Sequence, residues 1–410
     1  MRALVVIDGE HYAPVVRDAL QALPHEVVAV WVAGGTEKLV GGEDYGVPVA
    51  AGLEQGIAEH EPGLVVDLSD EPVLGPRERF RVASRVLARG LPYAGPDFRF
   101  DPPVFAPFPL PALAIAGTGK RVGKTAVTGH FARLLSRDRE VVVVAMGRGG
   151  PPGPQLVEAR PRLEDLLELS RAGAHAASDY LETAALAGVT TIGCRRCGGG
   201  LAGSPGESNV LDGAALAAEL EPELVIFDGS GAAIPPVEVD ARVLVTSSAQ
   251  PVEVVTGYLN AYRILISDLV LVTGGADEPL LEAVAQVKDV PVVPVELRPR
   301  PVEPVDGRRV AFFTTAPAAV HETLAAHLAE RHGAEVVQVS GNLARREALR
   351  EELERVDADT YLVEIKAAAI DMVAEAAVAR GRELVFADNE LVGESVDEAL
   401  LALAPKREPA

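Results

Sequence analysis

Lysine, cysteine and aromatic residues are all scarce in this chain of 410 residues. Two cysteines cannot build a disulfide framework. No apolar run approaches the ~20 residues that a membrane-spanning helix needs. The first apolar run, Ala3–Ile7, is too short for a signal peptide and is followed by an acid. We therefore expect a cytoplasmic protein.

The charge balance is strongly acidic. Lys and Arg number 38 against 60 Asp and Glu, which gives a formal net charge of −22. No basic stretch is long, and this argues against nucleic-acid binding as the main role. Of only six lysines, two (Lys120 and Lys124) lie in one short glycine-rich segment. An acidic protein that binds an anion must concentrate its cations locally, so this segment is the first candidate for a site.

Length and composition predict two or three domains, each large enough for its own core. A hydrophobic content of 48% with 24% charged residues is typical of a globular protein. Proline-rich joints at 95–111 and 296–306 divide the chain. We predict an N-terminal α/β domain over 1–106, a candidate for capping a substrate. A nucleotide-binding domain follows over 107–300, and then a C-terminal α/β region over 301–410, a candidate continuation of the central core.

Apolar runs that alternate with helical patterns predict parallel sheets in all three blocks. Most of these runs are nearly continuous, as buried parallel strands are. The predicted strands are Ala3–Ile7, Val27–Val32, Leu64–Leu68, Pro111–Ala116, Val141–Ala145, Leu224–Phe227, Val243–Thr246, Leu269–Val272, Val310–Thr314, Glu335–Val339, Thr360–Ile365 and Glu383–Ala387. The predicted helices include Glu78–Ala88, Leu343–Arg355 and Ile370–Ala379.

The glycine-rich segment can hold a nucleoside triphosphate by its phosphates. It reads Gly-Thr-Gly-Lys-Arg-Val-Gly-Lys-Thr from 117 to 125, after a predicted strand and before a helical pattern. Backbone N–H groups of the turn and of the helix N-terminus would face the phosphate oxygens. The predicted nucleotide-binding residues are Gly117, Thr118, Gly119, Lys120, Arg121, Val122, Gly123, Lys124, Thr125 and Ala126.

Within this loop, we expect Lys124 on the β- and γ-phosphates and the Thr125 hydroxyl on Mg²⁺. The usual pattern opens with a glycine where this chain has Thr118, and Gly117 lies one residue earlier. That form resembles the loop of dethiobiotin synthetase-like P-loop proteins. We therefore predict an α/β fold with a central parallel-sheet P-loop NTPase domain of that type, flanked by smaller α/β N- and C-terminal regions. The alternative is a turn that is glycine-rich for steric reasons only.

In open parallel sheets, ligands gather beyond the carboxyl ends of the strands. Arg148 follows one predicted strand and offers a planar fork to phosphate oxygens. Asp228 follows another, where a P-loop enzyme places its second acidic Mg²⁺ partner. An aspartate that only caps a helix is the alternative for Asp228. The predicted catalytic residues are Lys124, Lys120, Arg148 and Asp228, and the predicted metal ligands are Thr125 and Asp228.

A second dense cluster lies at residues 191–200. Two adjacent arginines followed by three glycines suit an anion-binding loop, so Arg195, Arg196, Gly198 and Gly199 are candidate substrate ligands together with Arg148. The embedded Cys-x-x-Cys suggests zinc or redox chemistry, but a structural zinc site wants four ligands and the chain has no other cysteine. A surface turn with solvated arginines also stays open.

The terminal blocks add two weaker substrate-binding candidates. His11 follows the first predicted strand, where a structural role is the common alternative. Lys366 ends a buried strand and is a candidate phosphate ligand, although a solvent-facing lysine fits the spacing equally well. The segments Thr273–Gly275 and Pro294–Leu297 are positioned to bind the nucleotide base.

Taken together, these clusters resemble the cyclic 2,3-diphosphoglycerate synthetase family over most of the chain. The resemblance rests on Asp8–Tyr12, Gly34–Lys38, Gly117–Thr125, Arg196–Gly200 and Glu364–Ala368. It implies an ATP-dependent ring closure in which 2,3-diphosphoglycerate and ATP yield the cyclic product, ADP and phosphate. ATP and Mg²⁺ are the implied cofactors, and a homodimer is expected because P-loop enzymes of this type are often dimers.

Two other interpretations use the same loop. A dethiobiotin synthetase-like kinase or ligase would act on another small anionic substrate, but it gives no reason for the paired arginines and their three glycines. A regulatory P-loop ATPase would switch conformation rather than make a product. Such ATPases usually carry a signature lysine where this chain has Gly119, with Lys120 one residue later.

Overall fold

The computed structural model describes residues 1–158, 160–173, 176 and 178–405. Two sheets organise these residues, one of six strands and one of thirteen. Helices cover their faces, so the prediction of an α/β fold is confirmed. Among the described helices, none is long and apolar enough to cross a membrane.

The first sheet lies within residues 2–100 and has the strand order β3-β2-β1-β4-β5-β6. Its strands are β1 (Arg2–Ile7), β2 (Glu26–Val32), β3 (Val49–Ala50), β4 (Leu64–Asp67), β5 (Tyr93–Ala94) and β6 (Arg99–Phe100). Its helices are α1 (Ala13–Ala22), α2 (Leu53–His60) and α3 (Pro76–Leu87). All pairings are parallel except that of β5 with β6, so the loops after β1, β2 and β4 meet at one edge.

The second sheet runs in the order β11-β10-β8-β12-β7-β13-β14-β15-β19-β18-β16-β17, with β9 on β10. Its first strands are β7 (Ala112–Gly117), β8 (Val141–Gly147), β9 (Gln155–Val157), β10 (Thr190–Gly199), β11 (Pro205–Ser208), β12 (Leu224–Asp228), β13 (Ala241–Ser247) and β14 (Leu269–Thr273). The remaining strands are β15 (Val292–Pro301), β16 (Arg309–Phe313), β17 (Glu335–Ser340), β18 (Thr360–Glu364) and β19 (Glu383–Val392).

Helices pack on both faces of this sheet. They are α4 (Lys124–Leu135), α5 (Leu163–Arg171), α6 (Asp179–Ala187), α7 (Val210–Glu219), α8 (Val252–Thr256), α9 (Asn260–Leu265), α10 (Glu278–Val287), α11 (His321–His332), α12 (Arg346–Arg355), α13 (Glu375–Ala379) and α14 (Val396–Leu403). A π-helical segment, Ala369–Ala374, leads into α13. The strand β7 is buried along its whole length between β12 and β13, which places its carboxyl end at the middle of the sheet edge.

Each strand predicted from an apolar run is present in the structure. The largest difference in length is at Glu383–Ala387, which continues to Val392 as β19. The extension exists because β19 pairs antiparallel with β15, and no apolar run marks that partner in the sequence. This antiparallel pairing joins the two parallel halves of the sheet.

The proline-rich segment at 296–306, which we interpreted as a joint, is a strand for most of its length, since β15 runs to Pro301. Two prolines fit this strand because it is paired on only one side there: β14 pairs with it as far as Val295 and β19 from Glu296 onward. The N–H of Val302 donates to Phe386 in the continuation of that ladder. Because the backbone N–H groups of successive strand residues point to opposite sides, the nitrogens of Pro299 and Pro301 face away from β19. No hydrogen-bond donor is needed on that side of the strand.

The prediction of a loop over residues 191–200 is also wrong. These residues form β10, which pairs parallel with β8 and antiparallel with β11. β10 was not recognised from the sequence because its glycines lower the strand propensity of the segment.

The first sheet is anchored to the second through helices. Helix α3 packs on α9, where Ser84 Oγ donates to the Tyr258 carbonyl at 3.1 Å and Phe80 contacts the Tyr258 ring. One apolar core continues across this junction.

Helix α4, which follows the phosphate loop, packs on β19, where Arg133 pairs with Asp388.

Candidate active site

A cleft of about 1350 Å³ opens at the carboxyl edge of the second sheet. The phosphate loop forms one wall with β15 beside it, and residues of α11, β18 and β19 contribute to the opposite wall. Small-molecule sites usually occupy about 300–1,000 Å³. The cleft is therefore large enough for a nucleotide and a second small ligand together.

The phosphate loop leaves β7 at Gly117 and enters α4 at Lys124. The Thr118 N–H donates to the Val245 carbonyl at 3.0 Å, which fixes the start of the loop to β13. Thr273 Oγ1 donates to the Val122 carbonyl at 3.0 Å and fixes its end to β14. The backbone amides of the first turn of α4 are thus presented to the cleft by a rigid frame.

Gly123 is required by the geometry of this turn. Its φ is +86°, in the left-handed region, and an added Cβ would lie 2.9 Å from Leu297 Cδ1 and 3.0 Å from Thr273 Cγ2. The first distance is shorter than real Cβ atoms show and the second is unusually tight, and the positive φ is strained for any other residue, so a side chain at 123 would favour a shift of the loop. Because Gly123 immediately precedes Lys124, such a shift would displace the lysine as well.

Lys124 and Asp228 form a buried ion pair at the base of the cleft. Lys124 Nζ lies 2.5 Å from Asp228 Oδ1, and this oxygen also accepts a hydrogen bond from Thr128 Oγ1 at 2.8 Å. Burial raises the pKa of Asp228, whereas the Lys124 ammonium lowers it. Within the described chain, Asp228 Oδ2 accepts no hydrogen bond, so one carboxylate oxygen is free for a further ligand.

The cleft is positively charged although the chain is acidic. Of the described residues that line it, seven are cationic and three are acidic, in a chain with a formal net charge of −22. The cations are Lys120, Arg121, Lys124, Arg148, Arg298, Arg345 and Lys366, and the acids are Asp179, Glu296 and Glu364. This excess attracts polyanions and raises their local concentration.

Arg148 and Arg196 converge above Gly231, in the loop after β12. A Cβ built on Gly231 would lie 2.7 Å from Arg148 Nη2 and 3.6 Å from Arg196 Nη2. Arg196 donates to the Ser230 carbonyl at 2.7 Å, but no described acid pairs with either guanidinium. Burial, and then the neighbouring Arg148, lower the pKa of Arg196. An anion placed between the two groups would relieve that repulsion.

Lys366 lies on the opposite wall between two carboxylates. Its Nζ is 3.8 Å from Glu364 Oε1 and 3.9 Å from Glu182 Oε1. The Glu364 carboxylate raises the pKa of Lys366, which keeps it cationic. Burial raises the pKa of Glu182 to about 8. Glu364 is held in place by Thr314, whose hydroxyl donates to Oε2 at 2.9 Å.

The structure brings together most, but not all, of the predicted site residues. Gly119 to Ala126, Arg148 and Lys366 line the cleft, and Asp228 lies beneath it. Among the described lining residues, none comes from residues 1–106, so His11 lies outside the cleft on the first sheet. The predicted nucleotide-binding residues Gly117 and Thr118 also lie outside the lining, at the start of the loop. So do the predicted substrate ligands on β10: Arg196 is half-buried beside Arg148, whereas Arg195, Gly198 and Gly199 are exposed.

Both segments proposed for base binding border the cleft. Thr273 and Gly274 line it beside Glu296 and Leu297. They lie against the phosphate loop at Val122 and Gly123, as the contacts above describe.

Sequence reasoning missed two cations of the cleft, Arg298 and Arg345. Arg345 lies beyond the carboxyl end of β17, and extending the strand-end rule from the central block to the last block would have found it. Arg298 could not be found in this way because it lies inside β15, within the stretch interpreted as an irregular joint. Arg298 is paired with Glu296, whereas no ion pair within the described chain involves Arg345.

The two cysteines are free and lie apart in environment. Cys194 is buried and Cys197 exposed, because side chains three residues apart on a strand point to opposite faces. Burial raises the pKa of the Cys194 thiol to about 12. Neither a shared metal nor a dithiol couple is compatible with this arrangement.

The strand, glycine-rich turn and helix, together with the buried Lys124–Asp228 pair, define a P-loop nucleotide-binding enzyme. Family models identify the particular family. The P-loop domain of cyclic 2,3-diphosphoglycerate synthetase matches residues 112–296, its N-terminal domain residues 2–101 and its C-terminal domain residues 301–390. The chain belongs to the cyclic 2,3-diphosphoglycerate synthetase family.

Similar proteins named cyclic 2,3-diphosphoglycerate synthetase come from bacteria and archaea. The one from Rubrobacter xylanophilus is 53% identical over 98% of this chain and 97% of its own length. The one from Thermococcus gammatolerans is 42% identical over 98% and 97%. The one from Methanothermus fervidus is 38% identical over 98% and 96%.

Proposed function

We propose that this protein uses ATP to close 2,3-diphosphoglycerate into cyclic 2,3-diphosphoglycerate, with release of ADP and inorganic phosphate. The observation that carries the proposal is the cation-rich cleft beside the phosphate loop, in a chain of this family. A substrate with two phosphates brings at least three negative charges next to a triphosphate. Only a site with several unpaired cations can hold both.

The chemistry requires two phosphoryl transfers. An oxygen of one substrate phosphate attacks the γ-phosphorus of ATP, and ADP leaves. The second substrate phosphate then attacks the phosphorus of the first, and the transferred group leaves as inorganic phosphate. This forms the anhydride that closes the ring. A phosphate dianion is already nucleophilic, so positioning and charge stabilisation are the main demands on the protein.

The cations of the cleft, together with Arg196 beside Arg148, divide this work. Lys124 binds the β- and γ-phosphates, and Lys120 reaches the transferred group from the exposed side of the loop. Arg148 and Arg196 hold one substrate phosphate as planar forks. Lys366 and Arg345 approach the other from the opposite wall. As charge shifts onto leaving oxygens, these donors stabilise the transition state.

The residues present also fit Mg²⁺. Thr125 lies in the first turn of α4, directly after Lys124, and Asp228 offers the oxygen that accepts no hydrogen bond from the described chain. A hydroxyl in the first turn of α4 and a carboxylate at the end of β12 are hard oxygen ligands, as this cation prefers. Bound there, Mg²⁺ would neutralise phosphate charge.

His11, the exposed residues of β10 and the division at 106 and 300 stay predictions. His11 can reach the substrate only if the first sheet closes over the cleft, which is the capping role proposed for residues 1–106. His11→Ala would then raise the KM for the bisphosphate and leave the KM for ATP unchanged. We also keep the proposals of a homodimer and of a cytoplasmic location.

The test traces the oxygen atoms of the substrate into inorganic phosphate and also detects the cyclic product. The full-length protein is incubated with ATP, Mg²⁺ and 2,3-diphosphoglycerate carrying ¹⁸O in its phosphates, and ³¹P NMR monitors the products. We expect a cyclic pyrophosphate signal and one ¹⁸O per inorganic phosphate, because the substrate oxygen that attacked ATP leaves with it. Phosphate labelled only from solvent water would overturn the proposal.

The same experiment separates the two alternatives. ATP hydrolysis that small phosphates do not affect would identify a regulatory ATPase. A kinase or ligase would phosphorylate another anion, and the bisphosphate would leave its rate unchanged. Neither gives a reason for unpaired cations on both walls of the cleft.

A further inference from the structure

Two histidines and a glutamate lie together behind the cleft wall. His327 and His332 belong to α11 and Glu390 to β19, and one ligand atom of each lies within 4.8 Å of the other two. All three side chains are partly buried. Two imidazoles and a carboxylate are the donor set that zinc and similar divalent transition ions prefer in proteins.

The polar atoms of this cluster are not satisfied by the protein. Within the described chain, Nε2 of His327 and Nε2 of His332 are buried and have no hydrogen-bond partner. His327 Nε2 lies 3.2 Å from Glu390 Oε1, but the two groups are not aligned as a hydrogen bond. Buried imidazole nitrogens without partners are costly, and a ligand that accepts their lone pairs removes that cost.

The surrounding charges permit a cation. Arg300 approaches the cluster, but it is already paired with Asp388 at 3.0 Å, and Arg298 is paired with Glu296. Arg331 is exposed to solvent. The cluster also lies at the C-terminal end of α11, where the helix dipole favours positive charge.

We propose that His327, His332 and Glu390 bind a divalent transition-metal ion of the zinc class, separate from the Mg²⁺ of the phosphate loop. The ion clamps the last turns of α11 to β19, and a water completes its coordination. The proposed metal site is close to the cleft. Thr323 and Leu324 of α11 line the cleft, and so does Asn389, which is next to Glu390.

The test uses untagged full-length protein stripped with a chelator and kept in excess Mg²⁺ without nucleotide. Zn²⁺ or Co²⁺ is added alone, and equilibrium dialysis with elemental analysis measures binding. We expect one ion per chain and, for Co²⁺, visible absorption bands of a four- or five-coordinate site. His327→Gln and His332→Gln should weaken binding at least about tenfold, because even outer-shell partners contribute that much.

His60→Gln, on the first sheet, is the matched control and should bind as the wild type does. Glu390→Gln keeps the shape of the carboxylate and serves if a histidine variant fails to fold by circular dichroism. Added Zn²⁺ should raise the Tm of the wild type and the control but not of the three site variants. Absence of stoichiometric binding, or equal binding by the wild type and the site variants, would overturn the proposal.

Discussion

The two sheets of this molecule have similar edges but very different chemistry at them. At the edge of the first sheet, buried Asp8 accepts hydrogen bonds from the N–H groups of Glu10 at 2.9 Å and Asp70 at 2.7 Å, and contacts His11 Nδ1 at 2.8 Å. At the edge of the second sheet, Arg148 and Arg345 have no acidic partner in the described chain. Parallel topology therefore creates a place for a site, and unpaired charge decides whether that place binds a polyanion.

The contrast extends to buried carboxylates. Burial acts to raise the pKa of Asp8, but the backbone N–H of Asp70 and the His11 ring outweigh it, so the pKa is lowered. Glu182 receives no such hydrogen bonds from the described chain, and burial raises its pKa to about 8. One acid is stabilised as an anion by its surroundings and the other is not.

The largest expected effect is the loss of Lys124. Lys124→Ala should lower turnover by about 10³-fold, because it removes the cation that we propose binds the transferred phosphoryl group. It would also leave Asp228 buried without a counter-charge, at a cost of about 3–5 kcal/mol. Lys124→Ala combined with Asp228→Asn separates the two effects, since it should regain stability without regaining turnover in a coupled ADP assay.

Lys38→Ala is the matched change on the first sheet. Lys38 forms an exposed ion pair with Glu10, so its removal should change both turnover and stability little. A loss of turnover comparable to that of Lys124→Ala would show that both sheet edges take part in catalysis, and the comparison would fail.

The next effect concerns the substrate rather than ATP. Arg148→Ala should raise the KM for the bisphosphate about 10–100-fold, as expected for one charge-assisted hydrogen-bonding group. Arg148→Lys should recover only part of this, because an ammonium cannot bind two oxygens in one plane. Steady-state kinetics with each substrate varied checks both, and Arg77→Ala on the first sheet is the control. An equal rise in the KM for ATP would contradict the assignment.

A third effect is on stability and should have opposite pH dependence in the two sheets. Glu182 has a raised pKa when folded, so its stabilising contribution is present below its unfolded value of 4.5 and is lost as pH rises towards about 8. Across that pH range, the free energy of unfolding of Glu182→Gln, measured with urea, should therefore increase relative to that of the wild type. Exposed Glu164→Gln should show no such trend.

Asp8 should behave in the reverse sense. Its pKa is lowered from 3.8, so its contribution is present above that pH and is lost as pH falls below it. Asp8→Asn should be less stable than the wild type at neutral pH, and the deficit should shrink in acid. If the stabilities of Asp8→Asn and Glu182→Gln relative to the wild type changed with pH in the same direction, the contrast between the two sheets would be contradicted.

The smallest effect is on thiol reactivity. A thiol reagent should modify Cys197 alone in the folded protein and both cysteines after denaturation, since Cys194 is buried with a pKa of about 12. Mass spectrometry of the modified peptides checks this. Rapid modification of Cys194 in the folded protein would mean that β10 does not pack as described.

Much of the fold was predictable because buried parallel strands appear as apolar runs. The phosphate loop was predictable because its residues are constrained by the phosphates it must hold. β15 and β10 were missed for a shared reason: both are marked by proline or glycine, and tertiary pairing rather than local preference makes them strands. Their partners, β19 and β8, lie far away in the sequence.

The site was predicted less completely than the fold. Lys124, Arg148 and Asp228 were found because each follows an apolar strand at one sheet edge. Arg298 lies on β15, at the junction of the two halves of the sheet, and Arg345 comes from the second half, which the β15–β19 pairing joins to the first. Its geometry could not be inferred from composition or spacing.

That same pairing has a consequence for biosynthesis. The apolar side of α4 packs within a core that includes Leu391 of β19 and Val396 and Leu400 of α14. A ribosome that has completed residues 1–300 has therefore made the phosphate loop but not the surface that covers its helix. Until about the last hundred residues have been synthesised, the nascent chain exposes the apolar surface of α4. Binding of a chaperone to this surface would protect the chain from aggregation.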